Sequence, residues 1–305
     1  MTSLAPLLLA FSLLQNPDSV VARAKEAIRP LTDSVALHNA GFLPLQFGPV
    51  RDLTPFQGQH WLSIGRVLTM AMRGDTAVDI DAPSFVMYLP MNGTLKPVGV
   101  AYTERIASRA AAPTTFAGMP AMWHTHMFCR NVPGEGQVLA DGLEDCTDRD
   151  GRPTRNQIAM IHTWTIPNPD GPFAHDNPSL PFIAVGLKPP AHPTRDDRLF
   201  GIALGETYGA LLPEGHRIDH EARAAGTLEV LEAQRKVLRD LVPQLVAAEK
   251  SGDQAKFDQL RTKSISTYET LLSAYRGLAS TPQIKSRMDV ELAEMVGDAE
   301  MKMPK

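Results

Sequence analysis

Two histidines one residue apart, His124 and His126, stand in the apolar segment PAMWHTHMFC at residues 120–129. Because side chains alternate along a strand, both imidazoles lie on one side, with their Cα atoms about 6–7 Å apart. Two imidazoles in this arrangement can hold one metal ion. A single buried histidine is more often a hydrogen-bonded core residue, so this pair alone does not decide between the two interpretations.

Three further segments place an ionisable side chain in an otherwise apolar row. His162 lies within QIAMIHTWTI, Glu104 ends the row of LKPVGVAYTER, and His60 begins that of QHWLSIGRVL. A buried carboxylate without a partner is costly, and a divalent cation shared with histidines would remove that cost. The alternation therefore predicts a metal site built from His124, His126 and His162, with Glu104 or His60 as a further ligand. In the alternatives, Glu104 lies past the strand end in water or pairs with an arginine across the sheet.

A loop after the His162 strand supplies one more candidate ligand. The segment PNPDGPFAHDNPSLPF is rich in proline and asparagine, which is typical of an ordered loop. Its His175 and Asp176 can reach over the mouth of the site, so His175 joins the candidate metal ligands. In the alternative, Asp176 and Asn177 cap the backbone and His175 is simply exposed. We interpret the other histidines as surface residues; these are His38, His192, His216 and His220.

The donor types favour copper or zinc, ahead of iron or manganese. Thioethers that suit copper come from Met119, Met122, Met127 and Met160, although methionine is also ordinary core filler. The first hypothesis is a divalent-metal-binding protein with no assigned activity. One alternative is a metal-dependent oxidoreductase or hydrolase using the same site. The other is a non-metal binding module whose histidines form a hydrogen-bonded cluster.

Several catalytic motifs do not occur in the chain. There is no G-x-S-x-G, P-loop, Rossmann glycine triplet, H-E-x-x-H or C-x-x-C sequence. Serine hydrolases, nucleotide enzymes and zincins are therefore disfavoured.

The strands that must position the histidines fall between about residue 59 and residue 210, where apolar and polar residues alternate. An Asn92-Gly93 turn predicts a hairpin between two of them. The six predicted strands are QHWLSIGRVL, SFVMYLP, LKPVGVAYTER, AMWHTHMFC, QIAMIHTWTI and FIAVGL. Six short strands separated by turns predict an antiparallel β-sandwich or small barrel.

Helices flank this β domain and make the predicted fold class α+β. Residues 18–40 have helical spacing, with a kink expected at Pro30 and an end at Gly41. The chain becomes helical again after Pro213.

The predicted organisation has an N-terminal helix and linker at 17–48, a β domain with the histidine cluster at 49–212, and a helical region at 213–305. We expect residues 217–305 to form a separable unit without the site. Their apolar stripes need a surface to pack on. The alternatives are that the helices pack on each other, on the β domain, or on a second subunit. The last choice would make the protein a homo-oligomer or a binder of another protein.

The chain has 305 residues and a net charge of −4, and no basic patch recruits nucleic acid. Residues 4–14 form an apolar run that is too short to span a bilayer. This run predicts a signal peptide at residues 1–16, export to the periplasm or the exterior, and no stable membrane insertion. The alternative is an N-terminal helix packed on the core.

The chain has two cysteines, Cys129 and Cys146. In an exported protein they predict one disulfide. In a cytosolic protein both would be thiols, and Cys129 would become a candidate soft metal ligand.

A longer pattern of motifs spans roughly residues 22–182. It comprises ARAKEAIRPLTDSVALHNAGFLPL, GQHWL, SFVMYLPMNGTLKPVGVAYTE, WHTH and IHTWTIPNPDGPFAHDNPSLPF. This pattern resembles a family of largely uncharacterised, mostly exported bacterial proteins with an HxW…NPxGxFAxxNP motif. The resemblance implies a common fold and a common site at His60, Glu104, His124 and His162, but no reaction.

The segment GMPAMWHTH, from Gly118 to His126, also resembles the first part of the cupin signature G-x5-H-x-H. Cupins are double-sheet β-barrels that bind a metal through histidines and a glutamate. The glutamate that follows in cupins is replaced here by MFCRN. The resemblance therefore implies similar architecture at most.

Overall fold

A computed structural model describes residues 16–47, 50–66, 69, 78–91, 93–133, 136–140, 146–147 and 149–298. The predicted signal peptide lies outside these residues, apart from its last position. The described chain has the predicted α+β class: an antiparallel sheet curls into a half-barrel, with helices at both ends of the chain. Within the described ranges, no helix is both long enough and apolar enough to cross a membrane.

One eight-stranded antiparallel sheet forms the centre of the fold. Its strands are β1 (Phe42–Pro44), β4 (Leu53–Thr54), β5 (Gly58–Ser63), β6 (Phe85–Met91), β7 (Thr94–Ile106), β10 (His124–Val132), β11 (Gly136–Ala140) and β12 (Arg152–Trp164). Two small hairpins accompany it, β2 (Gln46–Phe47) with β3 (Val50–Arg51), and β8 (Thr115–Phe116) with β9 (Met119–Pro120). The strand order is β1-β5-β6-β7-β12-β10-β11, with β4 paired to β5.

The alternation of side chains gives this sheet two different faces. One face packs against the N-terminal helices through a cluster that includes Tyr88, Val100, Tyr102 and Ile161. The opposite face, here called the site face, carries an apolar cluster built on Phe85, Ala101, Ile158 and Met160. The predicted hairpin is present, since Met91 pairs with Thr94; residue 92 of its turn lies outside the described residues.

The N-terminal helix is two helices rather than one kinked helix. They are α1 (Pro17–Ile28) and α2 (Ser34–Asn39). Pro30 lies between them, and the Asp33 side chain accepts hydrogen bonds from the amides of residues 35 and 36, which starts a new helix. Gly41 follows α2 with φ +82, as its predicted role as a helix end requires.

The segment FIAVGL is not a strand, so that prediction is wrong. It belongs to α3 (Leu180–Val185), which has Pro181 in its first turn and ends at Gly186 in the left-handed conformation. A short apolar run carries no period that separates a buried strand from a buried helix. The C-terminal helices therefore begin within the predicted β domain.

Five longer helices follow α3 within the described residues. They are α4 (Arg195–Glu206), α5 (Pro213–Ala225), α6 (Glu229–Ser251), α7 (Gln254–Leu278) and α8 (Pro282–Val296).

These helices share part of their core with the β region, so the separable unit stays a prediction that truncation must test. Phe56, in the turn between β4 and β5, is fully buried among side chains of α4 to α8. The amide of Leu211 donates to the Leu53 carbonyl at 3.1 Å, and the amide of Asn177 donates to the Phe56 carbonyl at 2.8 Å. The apolar stripes are thus covered within the chain.

Cys129 on β10 and Cys146 lie at disulfide distance, with an Sγ–Sγ separation of 2.06 Å. Both side chains are completely buried, and Gly151 packs so closely on them that a Cβ there would overlap the Cys129 sulfur. The predicted pairing is confirmed.

Candidate metal centre

Five histidines meet on the site face, and all five are predicted candidates. His60 comes from β5, His124 and His126 from β10, His162 from β12, and His175 from the loop after β12. The His124 ring lies 4.9 Å from His126, 4.8 Å from His162 and 4.3 Å from His175, measured between ring centroids. The His60 and His162 centroids are 5.4 Å apart.

The curl of the sheet allows His60 to reach His162. Strands β6 and β7 separate β5 from β12, a distance of about 14 Å in a flat sheet. Gly99 lies in the same row of the sheet as Met87 and Trp164, and a Cβ there would come within 2.5 Å of the Met87 methyl carbon and 3.2 Å of the Trp164 ring. These two side chains therefore fill the space above Gly99.

The His60–His162 pair has the most informative geometry in the cluster. The two Nε2 atoms face each other at 3.5 Å. The Nδ1 of His60 lies 2.7 Å from a carboxylate oxygen of Asp52, and the Nδ1 of His162 lies 2.6 Å from the carbonyl oxygen of His175. Both oxygens only accept, so each Nδ1 carries a proton. When each ring carries only that proton, the two Nε2 lone pairs point at each other, and a cation between them would stabilise this arrangement.

Burial keeps the His162 and His124 rings neutral. His162 is 1% exposed and His60 is 5% exposed. Burial, followed by the influence of the His175 ring, lowers the pKa values of His162 and His124 well below their usual range. A neutral imidazole is the form that binds metal, so no proton has to leave these rings before coordination.

The loop at residues 165–179 is tied to β12 by backbone carbonyls. The Trp164 indole donates to the Ala174 carbonyl at 2.7 Å, and the Trp164 amide donates to the Pro172 carbonyl at 2.8 Å. These bonds hold His175 over His162, with ring planes 12° apart and centroids 5.3 Å apart. The placement of His175 over the site is thus fixed by its neighbours' main chain.

The other end of this loop shows the turn chemistry that the sequence left open. Asn168 donates to the Asp176 carbonyl at 2.8 Å, and the Asn177 side chain accepts from the Ser179 amide at 3.0 Å. Asn177 is completely buried. The segment therefore does both things that the sequence left open: His175 lies over the site, and Asn177 caps the backbone.

Glu104 is not part of the cluster, which corrects the sequence prediction. It lies opposite Ala159 on the ladder between β7 and β12, two residues beyond Tyr102 on the same side of the strand. Tyr102 packs toward α1, whereas Ala101 is the residue that pairs with His162. Glu104 therefore projects from the face opposite the histidines, where partial burial raises the pKa of its carboxyl.

Two residues of the site escaped the sequence argument. Asp52, the partner of His60, lies just before β4 in a segment without a recognisable motif. His216, interpreted as a surface residue, donates from Nε2 to the Leu53 carbonyl at 2.7 Å, and burial lowers its pKa. Its position on α5 beside α6 to α8 depends on the helical packing, which no local pattern reveals.

The methionines divide between two environments. Met122 and Met160 line the cavity beside the histidines. Met127 packs with the disulfide, and Met119 packs with the cluster below the opposite face. Of the four methionines, only Met122 and Met160 therefore lie where a thioether could support copper binding.

A cavity of about 820 Å³ opens from the histidine cluster. The site face and the 165–179 loop form one side, and residues of α5 and α8 form the other, among them His216, Glu294 and Met295. The helical region thus lines the cavity, although none of the five histidines comes from residues 217–305.

As the side chains stand, no group of three or more His, Cys, Asp or Glu in the described ranges has the arrangement of a metal site. The pair His60–His162 is close, and the rings nearest to His162 besides His60 are those of His124 and His175, with centroids 4.8 and 5.3 Å away.

No family model, curated protein or solved structure matches this chain. The resemblance to the exported bacterial family remains an interpretation of the motifs.

Proposed function

We propose that the protein binds one divalent transition metal ion through Nε2 of His60, Nε2 of His162 and a third imidazole from His124 or His175. The separation of 3.5 Å between the two Nε2 atoms carries this proposal. Nitrogens bound tetrahedrally at zinc distances lie about 3.3–3.4 Å apart. The pair therefore needs a shift of only a few tenths of an ångström to bind, and His126 stands behind His124 as a further donor.

A proton shared by the two rings is the competing explanation. A hydrogen bond between two imidazoles would bring the nitrogens to about 2.7–3.2 Å, which is shorter than the separation here. It would also place a positive charge on a ring whose burial disfavours that charge. A metal ion fits both the longer distance and the neutral His162 ring.

The donor set points to zinc or copper(II). Imidazole ligands suit both ions, whereas manganese prefers oxygen ligands and the Glu104 carboxylate lies on the other face. Both cysteines are held in the disulfide, so neither supplies a thiolate.

The test is the metal content of protein purified without an affinity tag, followed by titration of metal-free protein with Zn²⁺ and Cu²⁺. We expect one equivalent to bind, and His60→Ala or His162→Ala to lower the affinity steeply. His192→Ala is the matched control, since His192 is exposed and outside the cluster. A wild type that takes up neither ion, or a control that loses as much affinity, would refute the proposal.

The cavity favours a second candidate, a metal-dependent hydrolase or oxidoreductase. An ion at the cluster would face about 820 Å³ of space, which leaves room for a substrate at an open coordination position. Exchangeable metal-bound water, seen by relaxation of solvent protons with a paramagnetic ion in the site, would favour an enzyme over a closed structural site. Failure to hold metal would instead favour the non-metal binding module.

We also propose that the protein is exported. The buried cysteine pair at disulfide distance supports this, because such bonds persist in oxidising compartments. N-terminal sequencing of the mature protein and cell fractionation test it; an unprocessed N-terminus in the cytosol contradicts it.

A further inference from the structure

The cavity has a size and a lining that indicate what kind of molecule it accepts. Its volume of about 820 Å³ lies within the range of small-molecule sites. Four apolar side chains of the site face form a continuous floor: Leu45, Phe85, Leu139 and Met160. Such a floor favours the apolar body of a ligand.

The apolar floor begins where the histidines end. The His60 ring meets the Phe85 ring edge-on, with centroids 6.0 Å apart, and Met160 pairs with His124 across the ladder. A ligand that lies on this floor can therefore bring one end to the His60–His162 pair without leaving the apolar surface.

The guanidinium groups in the cavity wall are paired with carboxylates of the protein itself. Arg198 binds Asp170 at 2.7 Å, Arg149 lies 3.4 Å from Glu214, and Arg217 lies 3.2 Å from Glu221. This internal pairing neutralises their charge, which disfavours a polyphosphate or another polyanion as the ligand. The proposed metal ion would remain as the cationic group for an anionic end.

The segment before β10 offers an apolar approach to the cavity. Met122 lines the cavity and is 67% exposed, an unusual position for a large apolar side chain. Ala121 and Pro120 line the cavity beside it. An apolar molecule would meet this surface before it reaches the floor.

We infer that the cavity binds a small monocarboxylate with an apolar body, its carboxylate directed to the metal and its body on the floor of Leu45, Phe85, Leu139 and Met160. This inference rests on the proposed metal site. Fatty acids and aromatic carboxylic acids share the chemistry, and they differ in the shape of the body.

The first experiment measures binding of straight-chain alkanoates from butyrate to decanoate to the metal-loaded protein by calorimetry. Each buried methylene is expected to raise the affinity about fourfold, until the floor is covered. 2-Naphthoate, compared with octanoate, distinguishes an aromatic from an aliphatic body. A series without dependence on chain length overturns the inference.

The second experiment tests the carboxylate. Octanoate is expected to bind at least about tenfold more tightly than 1-octanol to zinc-loaded protein, and this preference is expected to vanish in metal-free protein. Equal binding of acid and alcohol to the zinc-loaded protein overturns the inference. Metal titration comes first: absent metal uptake refutes the proposed function itself, whereas metal uptake without alkanoate binding refutes only the ligand.

A charge placed on the floor provides the variant test. Leu139→Asp is expected to weaken octanoate binding at least about tenfold with metal affinity unchanged, because the bound alkyl chain would strip water from the new carboxylate without replacing its hydrogen bonds. Leu43→Asp is the matched control, since Leu43 is 42% exposed on β1 and outside the cavity. If Leu139→Asp does not fold, Leu45→Asp, at a partly buried position of the same floor, replaces it. Unchanged octanoate affinity in the folded variant overturns the inference.

Discussion

Replacing Asp52 by asparagine probes the histidine pair without touching a proposed ligand. The Asp52 carboxylate accepts from His60 Nδ1 at 2.7 Å and from the His60 amide at 3.2 Å, and its side chain is 15% exposed. It thereby holds the ring so that Nε2 keeps its lone pair toward His162. The Asp52→Asn substitution keeps the side-chain volume but removes the charge.

The expected loss follows from this contact. A charge-assisted hydrogen bond contributes about 1.5–3 kcal/mol, and the neutral amide retains part of it. If the amide turns its NH₂ group to Nδ1, the proton moves to Nε2 and the ring can no longer bind metal. We therefore expect metal affinity to fall about 10–100-fold, or about 1.4–2.7 kcal/mol.

The assay is competition with a chromogenic chelator at fixed pH, with the melting temperature of the metal-free protein measured in parallel. Two carboxylates serve as controls. Asp170→Asn lies in the same cavity but pairs with Arg198, and Glu104→Gln lies on the opposite face. Both are expected to bind metal as the wild type does. Wild-type affinity in the folded Asp52→Asn variant, or an equal loss in either control, would refute this account of His60.

Three further predictions concern stability. The double variant Cys129→Ser/Cys146→Ser is expected to lose about 3 kcal/mol of unfolding free energy, because the disulfide links residues 17 positions apart and so restricts the unfolded chain. Urea titration measures this loss, and unchanged stability would contradict the prediction. The metal-free protein is expected to lose stability as the pH falls below about 6.5, because burial lowers the pKa of His216 and only the unfolded chain then binds a proton there. In urea titrations at several pH values, His216→Gln should reduce the dependence of the unfolding free energy on pH by up to about 1.4 kcal/mol per pH unit. The same pH dependence in wild type and variant would contradict this prediction. A chain ending at Gly215 is expected to lose cooperative thermal unfolding, because the helical side chains that bury Phe56 would be missing. A sharp thermal transition with metal still bound would instead show that residues 217–305 are a separable unit.

Local patterns in the chain are sufficient for one part of this structure. A period of two along β5, β10 and β12 predicts that His124 and His126 share a face and that His162 shares its face with Met160, and both are as expected. The cysteine pair, the β6–β7 hairpin and the α+β class also follow from composition and short motifs. These features depend on neighbours within a few residues, so the sequence contains them directly.

The sequence does not determine which face of the sheet each row of side chains occupies. Period two relates residues within one strand, but it does not say which face of the sheet a row joins. Glu104 ends a real apolar row, and the pairing of Ala101 with His162 turns that row toward α1. A second ambiguity concerns FIAVGL: its apolar residues show no period, so the sequence does not distinguish a buried helix from a buried strand.

The sequence by itself determined the candidate ligands, the alternation that groups them and the cysteine pair, since these depend on side-chain type and short-range spacing. Only the tertiary structure decided that the curl of the sheet brings His60 to His162 across two strands, and that Asp52 and the His175 carbonyl fix both rings. It also decided that α5 and α8 close the cavity, with His216 in its wall. The physical reason is that these contacts join distant parts of the chain, and their geometry is set by the packing of whole strands and helices.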